Sequence, residues 1–319
     1  MTGVVRLAVV GSGSMGANHI RIARQLPGVE LVAVVDSDTT RARQLTAGSN
    51  ITFLSSVDEL QHNIDAAVVA VPTSEHLQVA AALADRGVHL LVEKPLAATR
   101  VEAEQLVEKA MKAGVCLAVG HVERFNPAIY ELPRFLDNPI HFAAARISPY
   151  TPRISDGVVF DLMIHDLDII CSLVGAEVAE VHGAGQRVRS ISEDLAVVTM
   201  AFSSGQTASL QTSRVGQQKI RTLEVTQAES VVHVDLLKQD VTITTMSSHE
   251  YVAESGTPRH RQSNVVEIPF LETRGEPLAL ELTDFVHSVL SGSQPRVNGE
   301  AGLRAVGLAE RILAALIVP

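Results

Sequence analysis

Short apolar runs alternate with amphipathic stretches along the first 120 residues. Residues 7–10, 31–35, 66–71, 88–92 and 115–119 are nearly unbroken in Val, Leu and Ala, the pattern of strands buried on both faces. Between them, residues 15–26, 39–47, 75–86 and 99–113 carry apolar positions at helical spacing. The alternation predicts an α/β domain with a doubly wound parallel sheet. Beyond Asp137-Asn138-Pro139 the texture changes. Strand-like stretches follow one another closely at 178–189, 194–202, 206–214, 220–227, 230–234 and 241–245. Several alternate apolar with polar residues, as in Thr207-Ala208-Ser209-Leu210-Gln211. This predicts an α+β domain built on an open, mainly antiparallel sheet with one covered face. Two helices, near 277–290 and 300–317, are expected to close the chain. The expected domains are residues 1–122 and 123–319.

Between the two textures lies a helical stretch, 156–174, that is apolar almost all round. At 100° per residue, Asp161, His165, Asp168 and Ser172 share one narrow arc, while Val158, Leu162, Met163, Ile164, Ile169 and Leu173 cover the rest. Asp166 is the only carboxylate off that arc. The stripe is too thin for a solvent face. Burying an Asp and a His is costly unless each finds a partner, so the stripe is expected to face an internal site. His165 suits a general base, with Asp161 fixing its tautomer or touching substrate. A buried His–Asp pair also serves a purely structural role, and both readings stand on these residues.

Composition narrows the function classes. The chain has 319 residues, 46% of them hydrophobic, and a mean hydropathy of +0.20, enough for two cores. Its formal net charge is −10, and it has no basic cluster. Nucleic acid and anionic membrane are therefore poor partners. Cys116 and Cys171 sit in apolar runs without metal-ligand spacing, so reduced thiols and no metal are expected. The apolar start is cut short by a Gly-rich turn, as in a strand rather than a signal peptide. No apolar run approaches the roughly 20 residues of a membrane span. A soluble, cytoplasmic protein is the expectation.

Gly11-Ser12-Gly13-Ser14-Met15-Gly16 follows the first strand directly and opens a helix. In that context a GxGxxG loop suits a dinucleotide: a tight turn, a close backbone approach to pyrophosphate, and close helix–strand packing. The helix N-terminus adds free N–H groups and a positive dipole end. Asp36, at the end of the second strand, can bind a ribose 2′-hydroxyl and would repel a 2′-phosphate, which favours NAD over NADP. Arg41 and Arg43 lie near enough in sequence to accommodate a phosphate. A Gly-rich turn that binds nothing is the plain alternative.

Glu93-Lys94-Pro95 falls just past the strand at 88–92, at the carboxyl edge where open α/β sheets hold ligands. A lysine there, beside a nicotinamide ring, suits a proton shuttle; alone, it reads equally as a surface lysine at a helix start. These motifs, with Val71-Pro72-Thr73-Ser74-Glu75-His76 and the Asp161, His165-Asp166, Asp168 set, resemble those of the Gfo/Idh/MocA oxidoreductases. The resemblance spans both textures. It implies an N-terminal Rossmann domain, a C-terminal open sheet, NAD as cofactor, and a catalytic set of Lys94, Asp161 and His165. It also implies a cis Lys94-Pro95 peptide, with Val71, Pro72, Thr73 and His76 along the cofactor groove and Glu93 near the nicotinamide ribose. Asp156-Gly157-Val158-Val159 departs from the paired glycines usual at that point.

Gly120-His121-Val122-Glu123-Arg124-Phe125-Asn126-Pro127 resembles the segment found in nucleotide-sugar members of the family; inositol-oxidising members tend to carry a basic residue at the place of Glu123. The implied activity is oxidation of the 3-hydroxyl of a UDP-amino sugar such as UDP-N-acetylglucosamine, in the making of 2,3-diamino sugars or lipid A precursors. Glu123, Arg124, Asn126, Tyr150, Arg153 and His165 are then the candidate substrate contacts. The same segment also reads as a connector in which Asn126 caps a turn and Arg124 forms an ion pair. Arg153 equally suits an exposed loop. Two other functions remain open: a dehydrogenase of free sugars or inositols, and a non-catalytic NAD-sensing regulator. The resemblance further implies a homodimer or homotetramer paired through the second sheet.

Overall fold

The computed structural model describes residues 3–60, 63–151, 156–252 and 258–318. Six strands form a parallel sheet: β1 (Val5–Val10), β2 (Val29–Val35), β3 (Thr52–Leu54), β4 (Ala66–Val69), β5 (His89–Glu93) and β6 (Leu117–Gly120), in the order β3-β2-β1-β4-β5-β6. The expected strands are all present. β4 and β6 are buried along their whole length, which is why their sequences are continuously apolar. β3 was not expected; at three residues it carries too little pattern to read. Helices α1 (Ser14–Ala23), α2 (Thr39–Thr46), α3 (His76–Ala84) and α4 (Arg100–Ala113) fill the crossovers. Thr99 and Glu102 form a reciprocal capping box at the start of α4, and Gly114 closes it at φ +68°. Strand order reverses at β1 and β4, so the ligand crevice of this fold opens at their carboxyl ends.

The chain divides into two units, 1–125 with 275–310, and 126–274 with 311–319. The expected division at 122/123 lies close to the first crossing, but the chain returns to the first unit at 275. Helix α7 (Pro277–Ser291) belongs to that unit. It buries Leu278, Leu282, Phe285 and Val286 in the cluster formed by Val5, Leu7, Val9 and Ile20. An apolar helical face shows that a helix will pack, not which sheet will receive it.

The second unit opens with helix α5 (Pro127–Glu131) and is built on nine strands: β7 (His141–Ile147), β8 (Val178–Gln186), β9 (Leu195–Phe202), β10 (Thr207–Ser213), β11 (Ile220–Thr226), β12 (Ser230–Asp235), β13 (Asp240–Val252), β14 (Pro258–Glu267) and β15 (Leu316–Ile317). Their order is β14-β13-β12-β11-β7-β10-β9-β8-β15. Pairing is antiparallel except between β7 and β10 and between β8 and β15, so the sheet is mixed. Alternation along β7, β9 and β10 buries Phe142, Ala144, Ala196, Val198, Met200, Ala208 and Leu210 on one face, as their sequences predict. The last helix, α8 (Gly299–Ala315), stops short of the expected 317. Leu316 and Ile317 instead pair with Gly183 and Ala184. A Cβ at Gly183 or Gly185 would come within 2.9 or 2.8 Å of the Leu316 side chain, so those glycines make the space for it. No helix among the described residues is long and apolar enough to cross a membrane.

Candidate active site

The carboxyl ends of β1, β2 and β4 border a cavity of about 600 Å³, lined among others by Gly11, Gly13, Asp36, Val71 and Pro72. Gly11 adopts φ +91°, and a Cβ there would sit 2.4 Å from Ala70 O. A Cβ at Gly16 would lie 1.9 Å from Gly11 O. Neither position accepts a side chain. Gly13 differs: a Cβ there would meet no protein atom within 4 Å, which leaves the backbone open to a ligand. Gly13 is also the N-cap of α1 and brings no side-chain cap to its first turn, so a phosphate is a fitting partner for those N–H groups. Ser14 is exposed at that turn, while Met15 packs on the apolar core.

Asp36 stands at the rim. Its carboxylate accepts the Ser12 amide and hydroxyl, both at 2.5 Å, and the Asp38 amide at 2.7 Å. Burial alone would raise its pKa; the Ser12 hydroxyl and the two amides, with Arg41 nearby, outweigh it and hold the group below the usual carboxylate value. An ionised Asp36 is a good acceptor for ribose hydroxyls. Arg41 is paired with Asp38 at 3.1 Å, and the Arg43 guanidinium lies 5.6 Å from the Phe53 ring centroid. Both cations near the rim are thus engaged within the protein.

The loop after β5 carries the second part of the expected set. The Lys94-Pro95 peptide is cis. His76 is buried, its Nδ1 2.9 Å from Pro95 O and its Nε2 3.1 Å from Val71 O, so it ties the loops after β4 and β5 together. Burial pushes its pKa below the ordinary value, and the neutral ring donates to one of the two carbonyls at a time. Thr73 begins a short turn capped by Pro72. Glu93 is turned inward: its Oε1 lies 2.7 Å from His19 Nε2, and its Oε2 accepts the Lys94 amide at 3.2 Å. Its side chain is 8% exposed. Lys94 itself is half-buried.

The second unit carries the polar stripe of the sequence. Residues Val159–Met163 form a π-helical turn that runs into α6 (Ile164–Val174). The uniform 100° spacing assumed for 156–174 therefore fails at Asp161, within the turn, although both Asp161 and His165 remain half-buried while Asp168 is buried. Such turns recur at functional sites. The single glycine at the entrance has a clear use: Gly157 packs directly on the Glu193 carboxylate, which accepts the Val159 amide at 3.1 Å. Arg214, buried, lies 3.9 Å from both Asp161 Oδ2 and Asp194 Oδ1, and also bonds Asp156 O. For Asp194, burial is overcome by the Arg189, Ser190 and Val188 amides and the Ser190 hydroxyl, so its pKa falls far below the usual range. Asp166, off the polar arc, makes a two-bond pair with Arg146, Nε–Oδ2 2.9 Å and Nη2–Oδ1 2.7 Å. Arg146 and Arg214 were not anticipated. Arg146 lies on β7 and Arg214 directly follows β10, and a cation at the buried side of a strand or its end is the one signal that points to them.

Among the substrate candidates, Asn126 performs the connector role. It caps α5 through Ala128 N, donates to Leu236 O at 2.9 Å, and is 2% exposed. Glu123 is buried in a short turn, Val122–Phe125, and Arg124 is half-buried there. Tyr150 lies under the Arg189 guanidinium, 5.3 Å from ring centroid to Cζ. Arg153 lies outside the described residues. Lys94 belongs to the first unit, and Asp161 and His165 belong to the second.

Residues 5–121 match the oxidoreductase family with NAD-binding Rossmann fold, and residues 135–230 match the GFO/IDH/MocA C-terminal domain. The chain belongs to the Gfo/Idh/MocA oxidoreductases and has their NAD-binding fold. It is 31% identical over 314 residues to the UDP-N-acetylglucosamine 3-dehydrogenase of Acidithiobacillus ferrooxidans, covering 98% of this chain and 97% of that one. A solved structure of that enzyme matches with a TM-score of 0.87 at 30% identity over 98% of both chains. The scyllo-inositol 2-dehydrogenase (NAD(+)) of Bacillus subtilis is 30% identical over 332 residues, covering 94% and 93% of the two chains.

Proposed function

We propose that this protein oxidises the 3-hydroxyl of a UDP-amino sugar, UDP-N-acetylglucosamine above all, with NAD as acceptor. The observation that carries the reading is the end-to-end likeness to an enzyme of that activity, and Lys94, Asp161 and His165 stand in motifs that resemble the family's. NAD, when bound, supplies a two-electron acceptor at its nicotinamide ring. His165 and Lys94 take the hydroxyl proton, Asp161 orients His165, and the glycine loop and Asp36 hold the adenosine half. Glu123, Arg124, Tyr150 and Arg153 are the candidate sugar-nucleotide contacts.

The test follows absorbance at 340 nm with NAD or NADP against UDP-N-acetylglucosamine, free N-acetylglucosamine and myo-inositol, with a coupled transaminase to draw off a 3-keto product. NADH formed only with the UDP-sugar is the expected result. Turnover of inositol instead would favour the second reading, which the likeness to the inositol enzyme supports. Silence on all three would favour an NAD-sensing regulator. Asp36→Ala should weaken NAD about tenfold or more, the loss of a charge-assisted hydrogen bond, and narrow the preference over NADP. An unchanged NAD affinity by calorimetry would remove Asp36 from the site.

We further propose that two copies pair through the outer face of the nine-stranded sheet. A shallow cavity of about 380 Å³ there is lined by Ala143, Ala145 and Val197 together with Ser209, Gln211, Thr222, Glu224 and His233, and Val197 is 44% exposed. Light scattering at micromolar concentration should give a dimer or tetramer, and a monomer would contradict it.

A further inference from the structure

Three titratable side chains meet inside the first unit, remote in sequence from one another. His19 comes from α1, one turn past the glycine loop; Glu93 ends β5, next to Lys94; Glu281 comes from the middle of α7. One polar atom from each lies within 4.8 Å of the others, and all three residues are buried. His19 and Glu93 are hydrogen-bonded at 2.7 Å. Glu281 is 1% exposed, and neither carboxylate oxygen has a hydrogen-bond partner among the described residues. A bare carboxylate there would carry a large desolvation cost. Gly120 leaves the room this arrangement needs, since a Cβ there would lie 2.9 Å from Glu93 Oε2.

The charges around Glu281 explain how it is tolerated. His19 faces it from α1 and Glu93 from β5, and Asp284 lies one turn on along α7 itself. Arg21 of α1 is occupied by Glu276, Arg6 of β1 by Asp65, and the turn after β6 contributes Glu123 and Arg124. Burial, then Glu93, then Asp284 raise the Glu281 pKa well above the ordinary glutamate value. The direction favours the protonated carboxyl, which is a donor as well as an acceptor.

We propose that Glu281 is a positioning residue: it completes the buried His19–Glu93–Glu281 cluster, fixes the Glu93 carboxylate, and through it holds the main chain of Lys94. The cluster thereby links the helix that opens at the cofactor loop to the strand that ends at the lysine. The role of Lys94 rests on the function proposed above; the proton on Glu281 does not. Glu281 contributes stability as an acid that keeps its proton on folding. Its folded pKa is raised, so this contribution is full below the unfolded value near 4.5 and is lost as pH rises through the folded pKa.

The test compares wild type with Glu281→Gln and Glu281→Leu. Gln keeps a neutral hydrogen-bonding head; Leu keeps bulk and loses it. The melting temperature of Glu281→Gln relative to wild type should climb with pH from about pH 5, by roughly 2–4 °C per unit. A difference that is flat with pH would overturn the neutral acid. Glu281→Leu should lower kcat on the order of 10–100-fold with little change in the calorimetric Kd for NAD, and Glu281→Gln should restore kcat. Folded Glu281→Leu with wild-type kcat would overturn the positioning role. Acetic anhydride labelling of Lys94, read by peptide mass spectrometry, follows the lysine without turnover. A changed rate in Glu281→Leu and a normal one in Glu281→Gln is expected, and equal rates in all three would sink the proposal even if no sugar is oxidised. Stoichiometric metal by elemental analysis, lost in Glu281→Gln, would replace it with a cation site.

Discussion

Lys94→Met lowers kcat by about 10²- to 10⁴-fold, the range for removing a positioned general acid or base, and leaves NAD binding intact. The separation of the two effects follows from how the loop is built. The contacts that shape it run through main-chain atoms: the Lys94 amide donates to Glu93 Oε2, and Pro95 O lies against the His76 ring. Methionine at 94 keeps both, together with the length of the lysine stem, and removes only the charged donor. The dinucleotide loop is set independently by Gly11 and Gly16, whose backbone approaches admit no side chain, and by Asp36 anchored to Ser12. Steady-state kinetics with the UDP-sugar, paired with calorimetry for NAD, measures the two quantities separately. Turnover within a few-fold of wild type would take Lys94 out of the mechanism, and lost NAD binding would show that the loop itself had changed.

The first unit was legible because its information is local. A buried parallel strand is a continuous apolar run, and the phosphate loop needs glycines at fixed places along the chain. The return of α7 was not legible. Leu278, Leu282 and Phe285 show a helix with one apolar face, but nothing in that face names β1 and α1 as its partners. The same limit applied to the polar set on α6. Asp161 and His165 stood out by spacing, whereas Asp166 looked like an exception to the stripe. Its explanation, Arg146, is twenty residues away on β7. The π turn defeated the 100° wheel outright, because an extra residue in one turn shifts every position before it relative to those after. His19 and Glu281 passed unnoticed for a related reason. A lone polar residue inside an apolar helical face carries no sign of what it meets, and the motif around Glu93 names neither of them.

Breaking the Arg146–Asp166 pair should cost the second unit about 3–5 kcal/mol, the usual penalty for stranding one charge of a buried pair. The geometry makes this a demanding case. Arg146 is 2% exposed on β7, Asp166 is 6% exposed on α6, and the two parallel bonds fix a guanidinium plane against a carboxylate plane. Arg146→Met leaves the buried Asp166 charge without its two donors. Asp166→Leu does the converse to the guanidinium. The double variant Arg146→Met/Asp166→Leu removes both charges and should recover most of the loss, since two apolar groups of similar volume need no partner. Denaturant unfolding of all three measures the coupling directly. Asp166 directly precedes Leu167 and follows His165, so the pair also sets how α6 presents the imidazole. The double variant, although stable, should therefore show a lower kcat than wild type with an unchanged Kd for NAD. Full activity in that variant would mean that packing alone holds His165 in place, and additive losses in the three unfolding curves would mean that the two charges do not depend on each other.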